Sequence, residues 1–295
     1  MLLNYLEVLK SNPEYFKQFS CKELLFLNYD CPVKEKKLTL WSEHNYFYYV
    51  VSGRKNLNTP TGFWELKSGT VVFIKRGACL IEQFFTEPFC IVAFIMPDSF
   101  ISRFINSNKS QLPRPKPHRK LDDLVIPVQS DEVLQAFYHS VLPFFSSRIQ
   151  PSEQLIELKF NELLLNILNN DENAELISYM HEVAAEKTGV LEHVMEANYP
   201  YRLELSEYAS LCNRSLSSFK RDFENIYKTS PGKWLIDKRL DLAKQLLINT
   251  DKQITDILLE SGFENQSHFC KVFKAKFGCS PMKFRKQLEL ETLIS

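Results

Sequence analysis

Ser217-Ser-Phe-Lys-Arg-Asp-Phe-Glu-Asn-Ile-Tyr-Lys-Thr-Ser-Pro-Gly-Lys-Trp234 lies over Ser267-His-Phe-Cys-Lys-Val-Phe-Lys-Ala-Lys-Phe-Gly-Cys-Ser-Pro-Met-Lys-Phe284 at a shift of 50 residues, without a gap. Six of the 18 paired positions are identical: Ser217/Ser267, Phe219/Phe269, Phe223/Phe273, Ser230/Ser280, Pro231/Pro281 and Lys233/Lys283. Arg221/Lys271, Tyr227/Phe277 and Trp234/Phe284 keep the chemistry. Each copy reads as a helix, a polar break with Ser-Pro, and an aromatic anchor. Two copies of one small helical unit suggest two copies of one task.

A helix and a tight turn precede each copy. Ser206–Cys212 leads into Asn213-Arg214, and the next helix starts at Ser215. Ile254–Ser261 leads into Gly262-Phe263, and the next helix starts at Asn265. Asn and Gly tolerate the left-handed backbone that such a turn needs, and Ser215 and Asn265 are good N-caps. Helix, turn, capped helix is the helix-turn-helix pattern, whose second helix sits in the DNA major groove. The periodic helix Trp234–Leu247 joins the two.

The faces of the second helices separate by type. Phe219 and Phe223, like Phe269 and Phe273, recur at i, i+4 and are read as core anchors. Ser217, Ser218, Lys220 and Arg221 lie on the other side of the first helix, and Gln266, Ser267, His268 and Lys271 on that of the second. These eight are the candidates for base contact, because early recognition-helix residues reach base edges. Arg and Lys favour guanine and Gln favours adenine. Lys228, Lys233, Lys276 and Lys283 are candidates for phosphate, which positions without specifying. Lys220 against Cys270, and Ser218 against His268, are where the copies should read different bases.

Charge is split in the same sense. The net charge is zero, yet residues 201–295 hold 16 Lys+Arg against 12 Asp+Glu, which fits a polyanion partner. The seven cysteines are odd in number and form no C-x-x-C pair, which argues for a reducing cytosol and against a disulfide framework or zinc finger. The N-terminus lacks the apolar core of a signal peptide, and no apolar run reaches the length of a membrane span. The expected location is cytoplasmic.

Residues 24–96 read as short strands rich in aromatic and β-branched residues: 24–29, 37–41, 46–51, 63–66, 70–74, 80–85 and 89–96. The turn signals between them, such as Ser52-Gly53 and Ser68-Gly69, space the strands as in a sandwich or small barrel. A cupin-type barrel can hold a metal, but the strand region offers His44 alone and no second His until His118. A metal centre needs three or more convergent ligands, so no metal, cofactor or catalytic residue is expected. Tyr46, Phe47, Tyr48 and Tyr49 line an effector pocket or simply form core. After a Pro-rich connection at 111–118, Asp131–Phe145 and Ser152–Asn169 read as an antiparallel helical pair. Two apolar stripes on the second of these fit either complete burial or a self-association face.

The residues resemble the AraC family of transcription regulators over about 187–287. The carriers are Trp234-Leu235…Arg239-Leu240…Ala243…Leu246-Leu247 and Ile254-Thr-Asp-Ile…Ser261-Gly-Phe…Gln266-Ser-His-Phe…Phe273-Lys…Phe277-Gly-Cys-Ser-Pro…Phe284-Arg285. The resemblance implies two helix-turn-helix units entering successive major-groove segments, behind a cupin-like barrel with dimerising helices. Leu258 departs from it, since the family usually has a small Ala there.

The expected fold is α+β in two domains: a cupin-like β-barrel with a helical pair (1–170), a linker helix (171–186), and an all-α domain with two helix-turn-helix units (187–295). The expected function is a sequence-specific DNA-binding regulator of transcription, most readily an activator. Its expected partners are double-stranded DNA, a second copy through helix 152–169, RNA polymerase, and an unknown small-molecule or protein effector. The alternatives are a regulator whose input is a partner protein, and a barrel enzyme with a DNA-binding tail.

Overall fold

The structure, a computed structural model, describes the chain apart from residues 1, 13–15, 31–35, 60–61, 85–87, 111, 114–122, 148–149, 186–189 and 295. Cys31 and most of the Pro-rich connection fall outside the described residues. The chain divides into two units, Met1–His193 and Val194–Ser295.

The first unit carries β1 (Leu2–Asn4), α1 (Tyr5–Ser11), β2 (Phe16–Cys21), β3 (Leu24–Asp30), β4 (Lys37–Ser42), β5 (Asn45–Ser52), β6 (Arg54–Asn58), β7 (Phe63–Lys67), β8 (Val71–Ile74), β9 (Gly77–Gln83), β10 (Cys90–Met96), α2 (Asp98–Asn108), β11 (Val125–Val128), α3 (Glu132–Ser146), α4 (Glu153–Leu168) and α5 (Ala174–Ala184). The strands form two sheets, β1-β4-β9-β6-β7 and β11-β8-β5-β10-β3-β2. The fold class is the expected α+β. Among the described residues the strands do not close into a barrel, however, because each sheet keeps two edge strands. Local alternation predicts strands; closure depends on pairing between distant strands, which no local pattern encodes.

The six-stranded sheet is covered on both faces. Along β5, Tyr46, Tyr48 and Val50 join the cluster shared with Leu38, Leu40, Leu57 and Ile81 of the other sheet. Phe47 and Tyr49 join the opposite cluster, with Phe100, Phe137, Tyr138, Phe160 and Met180 from the helices. Burial on both sides explains why β5 and β10 read as continuous apolar runs. The four aromatics at 46–49 are core, shared between two layers. Beneath α1, a cavity lined by Tyr5, Phe16, Leu40, Lys55 and Gln83, among others, holds about 20 Å³, room for about one water.

The polar segment Arg54–Asn58 gave no strand signal, yet β6 pairs with both β7 and β9. Its Lys55 is buried, with Nζ 4.3 Å from the Phe89 ring centre. β1, α1, β2 and β11 were likewise unpredicted. The helical pair is as expected, each helix capped by a side chain: Asp131 accepts from the Leu134 N–H and Ser152 from that of Leu155.

Helix α5, in the segment expected to be a linker, places Leu176, Ile177 and Met180 in the helix-side core of the first unit. A buried polar cluster holds it as well. Arg76 Nη1 lies 2.7 Å from Asp98 Oδ2, and Asn45 Nδ2 donates to Asp98 Oδ1 at 2.7 Å. Asn45 Oδ1 accepts from the Arg76 N–H and from the Tyr179 hydroxyl, at 3.1 and 2.9 Å. Burial pushes the pKa of Tyr179 far up, so its hydroxyl remains a donor. The strand edge, the start of α2 and the middle of α5 thus share one network. Arg76→Met strands the Asp98 carboxylate and should cost about 3–5 kcal/mol. Tyr179→Phe removes one hydrogen bond and should cost about 1 kcal/mol; urea denaturation of the full chain measures both.

The second unit is helical. It comprises the end of α6 (Val190–Asn198), then α7 (Leu205–Leu211), α8 (Leu216–Tyr227), α9 (Pro231–Asn249), α10 (Ile254–Glu260), α11 (Gln266–Phe277) and α12 (Pro281–Ile294). Among the described residues, no helix is long and apolar enough to cross a membrane, and no group of three or more His, Cys, Asp or Glu could hold a metal.

Candidate nucleic-acid interface

The two helix-turn-helix units, α7–α8 and α10–α11, repeat the same local solutions. Asn213 and Gly262 take left-handed backbone at the turns, with φ of 53° and 83°. The Arg214 N–H donates to Ala209 O at 2.9 Å, and the Phe263 N–H to Leu258 O at 3.0 Å. Ser215 caps α8 through the Ser218 N–H, and Asn265 caps α11 through that of His268. Lys228 and Gly278 then end the two helices in left-handed conformation, again 50 residues apart. Leu258 is buried within the cluster of Ala243, Phe263, Phe269 and Phe273. Its turn closes as the first one does, so the larger side chain leaves the local geometry intact.

The equivalence of Arg214 with Phe263 exposes a difference. They are 49 residues apart while the caps Ser215 and Asn265 are 50 apart, so the second turn is longer by one residue, Glu264. Phe263 packs on Phe269 with ring centres 5.0 Å apart. Arg214 cannot fill a core, and its Nε instead pairs with Asp222 Oδ2 at 3.2 Å.

The phenylalanines Phe219, Phe223, Phe269 and Phe273 have no exposed surface. Each recognition helix is clamped by a ring triad: Phe223, Tyr227 and Trp234 in the first, Phe273, Phe277 and Phe284 in the second. Trp234 stands in α9 and Phe284 in α12, each helix opening with Ser-Pro and capped by that Ser. Farther along α9, Leu240, Ala243 and Leu247 join the core of the second unit. One helix therefore carries the anchor of the first recognition helix and the floor of the second.

Arg239, which the resemblance marks only as a family hallmark, adds a polar clasp. Its Nε and Nη2 donate to Tyr199 O and Tyr201 O, each at 2.7 Å. Arg202 Nη2 donates to Phe263 O at 2.8 Å. The segment 199–202 is thereby fixed against α9 and the second turn. Gly262 sits in this contact: a Cβ there would lie 2.7 Å from Pro200 O and 2.8 Å from Arg239 Nε.

Of the predicted base-contact residues, Ser217, Lys220 and Arg221 are exposed on α8 and Ser218 is half-buried. Gln266, Ser267, His268 and Lys271 are all exposed on α11. Arg221 is not free: its Nε lies 3.2 Å from Asp222 Oδ1 and its Nη2 donates to Ser218 Oγ. Among the predicted phosphate contacts, Lys228, Lys233 and Lys283 are exposed. Lys276 is exposed too, but its Nζ is tied to α9, 2.8 Å from Asp237 O and 2.9 Å from Asp241 Oδ1. Its charge already serves to join two helices. Sequence reasoning passed over Arg214 and Asp222; their mismatch with Phe263 and Val272 across the repeat was the available signal.

Residues 208–287 match the family described as "Helix-turn-helix domain", and residues 45–179 match "ExsA N-terminal regulatory domain". The chain is similar to "Virulence regulon transcriptional activator VirF" of Yersinia enterocolitica, 26% identical over 238 residues, covering 81% of this chain and 88% of that protein. The same identity and coverage hold for "Thermoregulatory protein LcrF" of Yersinia pestis. "HTH-type transcriptional regulator ExsA" of Pseudomonas aeruginosa is 33% identical over 129 residues, covering 44% of this chain and 46% of that one.

The two left-handed glycines separate strain from crowding. Gly278→Ala meets nothing within 4 Å and should cost only the left-handed penalty, about 1–2 kcal/mol. Gly262→Ala adds the clash with Pro200 and Arg239 and should cost several kcal/mol in the same urea titration. At the position equivalent to Gly278, Lys228→Gly relieves the backbone and should raise stability by about 1 kcal/mol.

Proposed function

We propose, on the premise that the chain belongs to the AraC family of transcription regulators, that it activates transcription by reading two successive major-groove segments with α8 and α11. DNA is the partner, and the relatives are regulators rather than enzymes. The observation that carries the two-segment reading is the doubled unit on a single helix. With α9 anchoring both recognition helices, one protomer engages DNA at two places in fixed register. Ser217, Ser218, Lys220 and Arg221 face one segment, and Gln266, Ser267, His268 and Lys271 the other. Lys228, Lys233 and Lys283 hold phosphate at the rim. Activation follows the relative named as a transcriptional activator, and it implies a contact with RNA polymerase.

The first unit receives the signal and pairs two copies. Its exposed face on α4 supports pairing: Leu158 and Leu165, 59% and 36% exposed, stand two turns apart on one side of the helix. Both apolar stripes read from the sequence, Ile156, Phe160, Leu163 and Ile167, and Leu164 with Leu168, are consumed by the core, so this face is a separate one. The effector belongs to the same unit, as a small molecule or a protein.

Footprinting should show protection of two groove segments about 10 bp apart on one face of the duplex; a single isolated half-turn per protomer contradicts the reading. Arg221→Ala and Lys271→Ala should each cost about 1–3 kcal/mol at particular base pairs, whereas an equal loss on all sequences marks a phosphate contact. Leu158→Glu together with Leu165→Glu should convert a dimer to a monomer in sedimentation, with the helical signal retained. A wild-type protein that is monomeric at every concentration, with and without DNA, removes the dimer.

A further inference from the structure

We propose that Asp222 is a specificity-determining positioning residue: it holds Arg221 in an ion pair that is exchanged for DNA only where a base edge takes the guanidinium in the right place, while its pair with Arg214 is kept. This rests on α8 being a DNA-reading helix and adds a residue that reading does not require.

Asp222 sits in the middle of α8, one turn beyond Ser218. Oδ1 lies 3.2 Å from Arg221 Nε, and Oδ2 lies 3.2 Å from Arg214 Nε and accepts from Ser218 Oγ at 3.4 Å. Arg221 Nη2 closes the ring by donating to Ser218 Oγ at 3.2 Å. Three groups on or beside the DNA-facing surface therefore converge on one carboxylate. Arg214 Nη1 is buried without a hydrogen-bond partner, so the cluster holds a further donor that is not yet used.

The repeat shows that folding does not need this cluster. Asp222 aligns with Val272, and Arg214 stands where Phe263 closes the second turn. The second unit fills both positions with apolar side chains that join its core. The same helix pair can thus be built with a hydrophobic contact in place of a charged one. A carboxylate on a helix that faces a polyanion is unfavourable unless it stays paired. Asp222 is 27% exposed and Arg221 71% exposed, so their contact is weak in water and readily traded. At the correct site Arg221 leaves for a guanine edge while Arg214 and Ser218 still satisfy the carboxylate. At an incorrect site Arg221 can only reach phosphate, with Asp222 held against the same negative backbone. Discrimination then comes from the repulsive element as much as from the attractive one.

The test uses the full-length protein. A duplex selected by the wild type from a random pool is compared with a scrambled duplex of equal length, at several salt concentrations. Asp222→Asn should tighten binding to the scrambled duplex and reduce the ratio of selected to scrambled affinity about tenfold. Its salt dependence on the scrambled duplex should steepen by about one ion. Asp222→Glu should restore the ratio. Arg214→Phe combined with Asp222→Val installs the apolar pair of the second unit; it should keep the thermal transition and still lose the ratio. The inference is overturned if the ratio and salt slope are unchanged in Asp222→Asn and the double variant, or if both duplexes weaken equally. Should the wild type select no sequence at all, the DNA-reading assignment of α8 fails first and this inference with it.

Discussion

Helix α9 is the constraint on which the DNA-binding unit depends. Trp234 near its start closes the ring triad of the first recognition helix, and Leu240, Ala243 and Leu247 form the floor under the second. Two reading heads can act as one only if their separation is set by something stiffer than a loop, and a helix fixes it through its own rise per residue. Arg239 extends this control beyond apolar packing. Its paired bonds to Tyr199 and Tyr201 bring a non-helical segment against the turn at Gly262, leaving no room there for a side chain.

The repeat divides labour between what is shared and what is not. Most shared residues are the Ser-Pro caps and aromatic anchors that pack a short capped helix, while Ser217/Ser267 and Lys233/Lys283 are shared and exposed. Unshared residues fall on the exposed faces and in one place inside: Arg214 and Asp222 against Phe263 and Val272. An ion pair in place of an apolar contact seldom stabilises a fold, so its presence points to a task on the surface rather than in the core.

In the first unit the controlling feature is a sheet buried on both faces. Alternation along β5 sends Tyr46 and Tyr48 to one cluster and Phe47 and Tyr49 to the other. The aromatic run that invited a pocket is therefore spent on packing two layers. The polar groups that this burial traps, Arg76, Asp98, Asn45 and Tyr179, are linked to one another by an ion pair and three hydrogen bonds and seat α5 in the process. A helix positioned by a buried polar network is held in one register, since any slip breaks the bonds that reach it.

The sequence by itself determined most of what depends on near neighbours in the second unit. N-caps at Ser215 and Asn265, turns at Asn213 and Gly262, core anchors at i, i+4 and the exposed recognition faces all follow from local stereochemistry and helical period, and repetition removed the ambiguity of a single instance. The strand content of residues 24–96 was legible for the same reason. Tertiary structure decided what depends on distant partners. It opened the expected barrel into two sheets, drew the polar segment Arg54–Asn58 into a ladder, and packed α5 into the first unit's core. It also tied Lys276 to α9 and gathered Arg214, Arg221 and Ser218 onto Asp222. A charged side chain carries no local mark of whether it will meet solvent, phosphate or another helix; only the approach of a partner from elsewhere in the chain settles which.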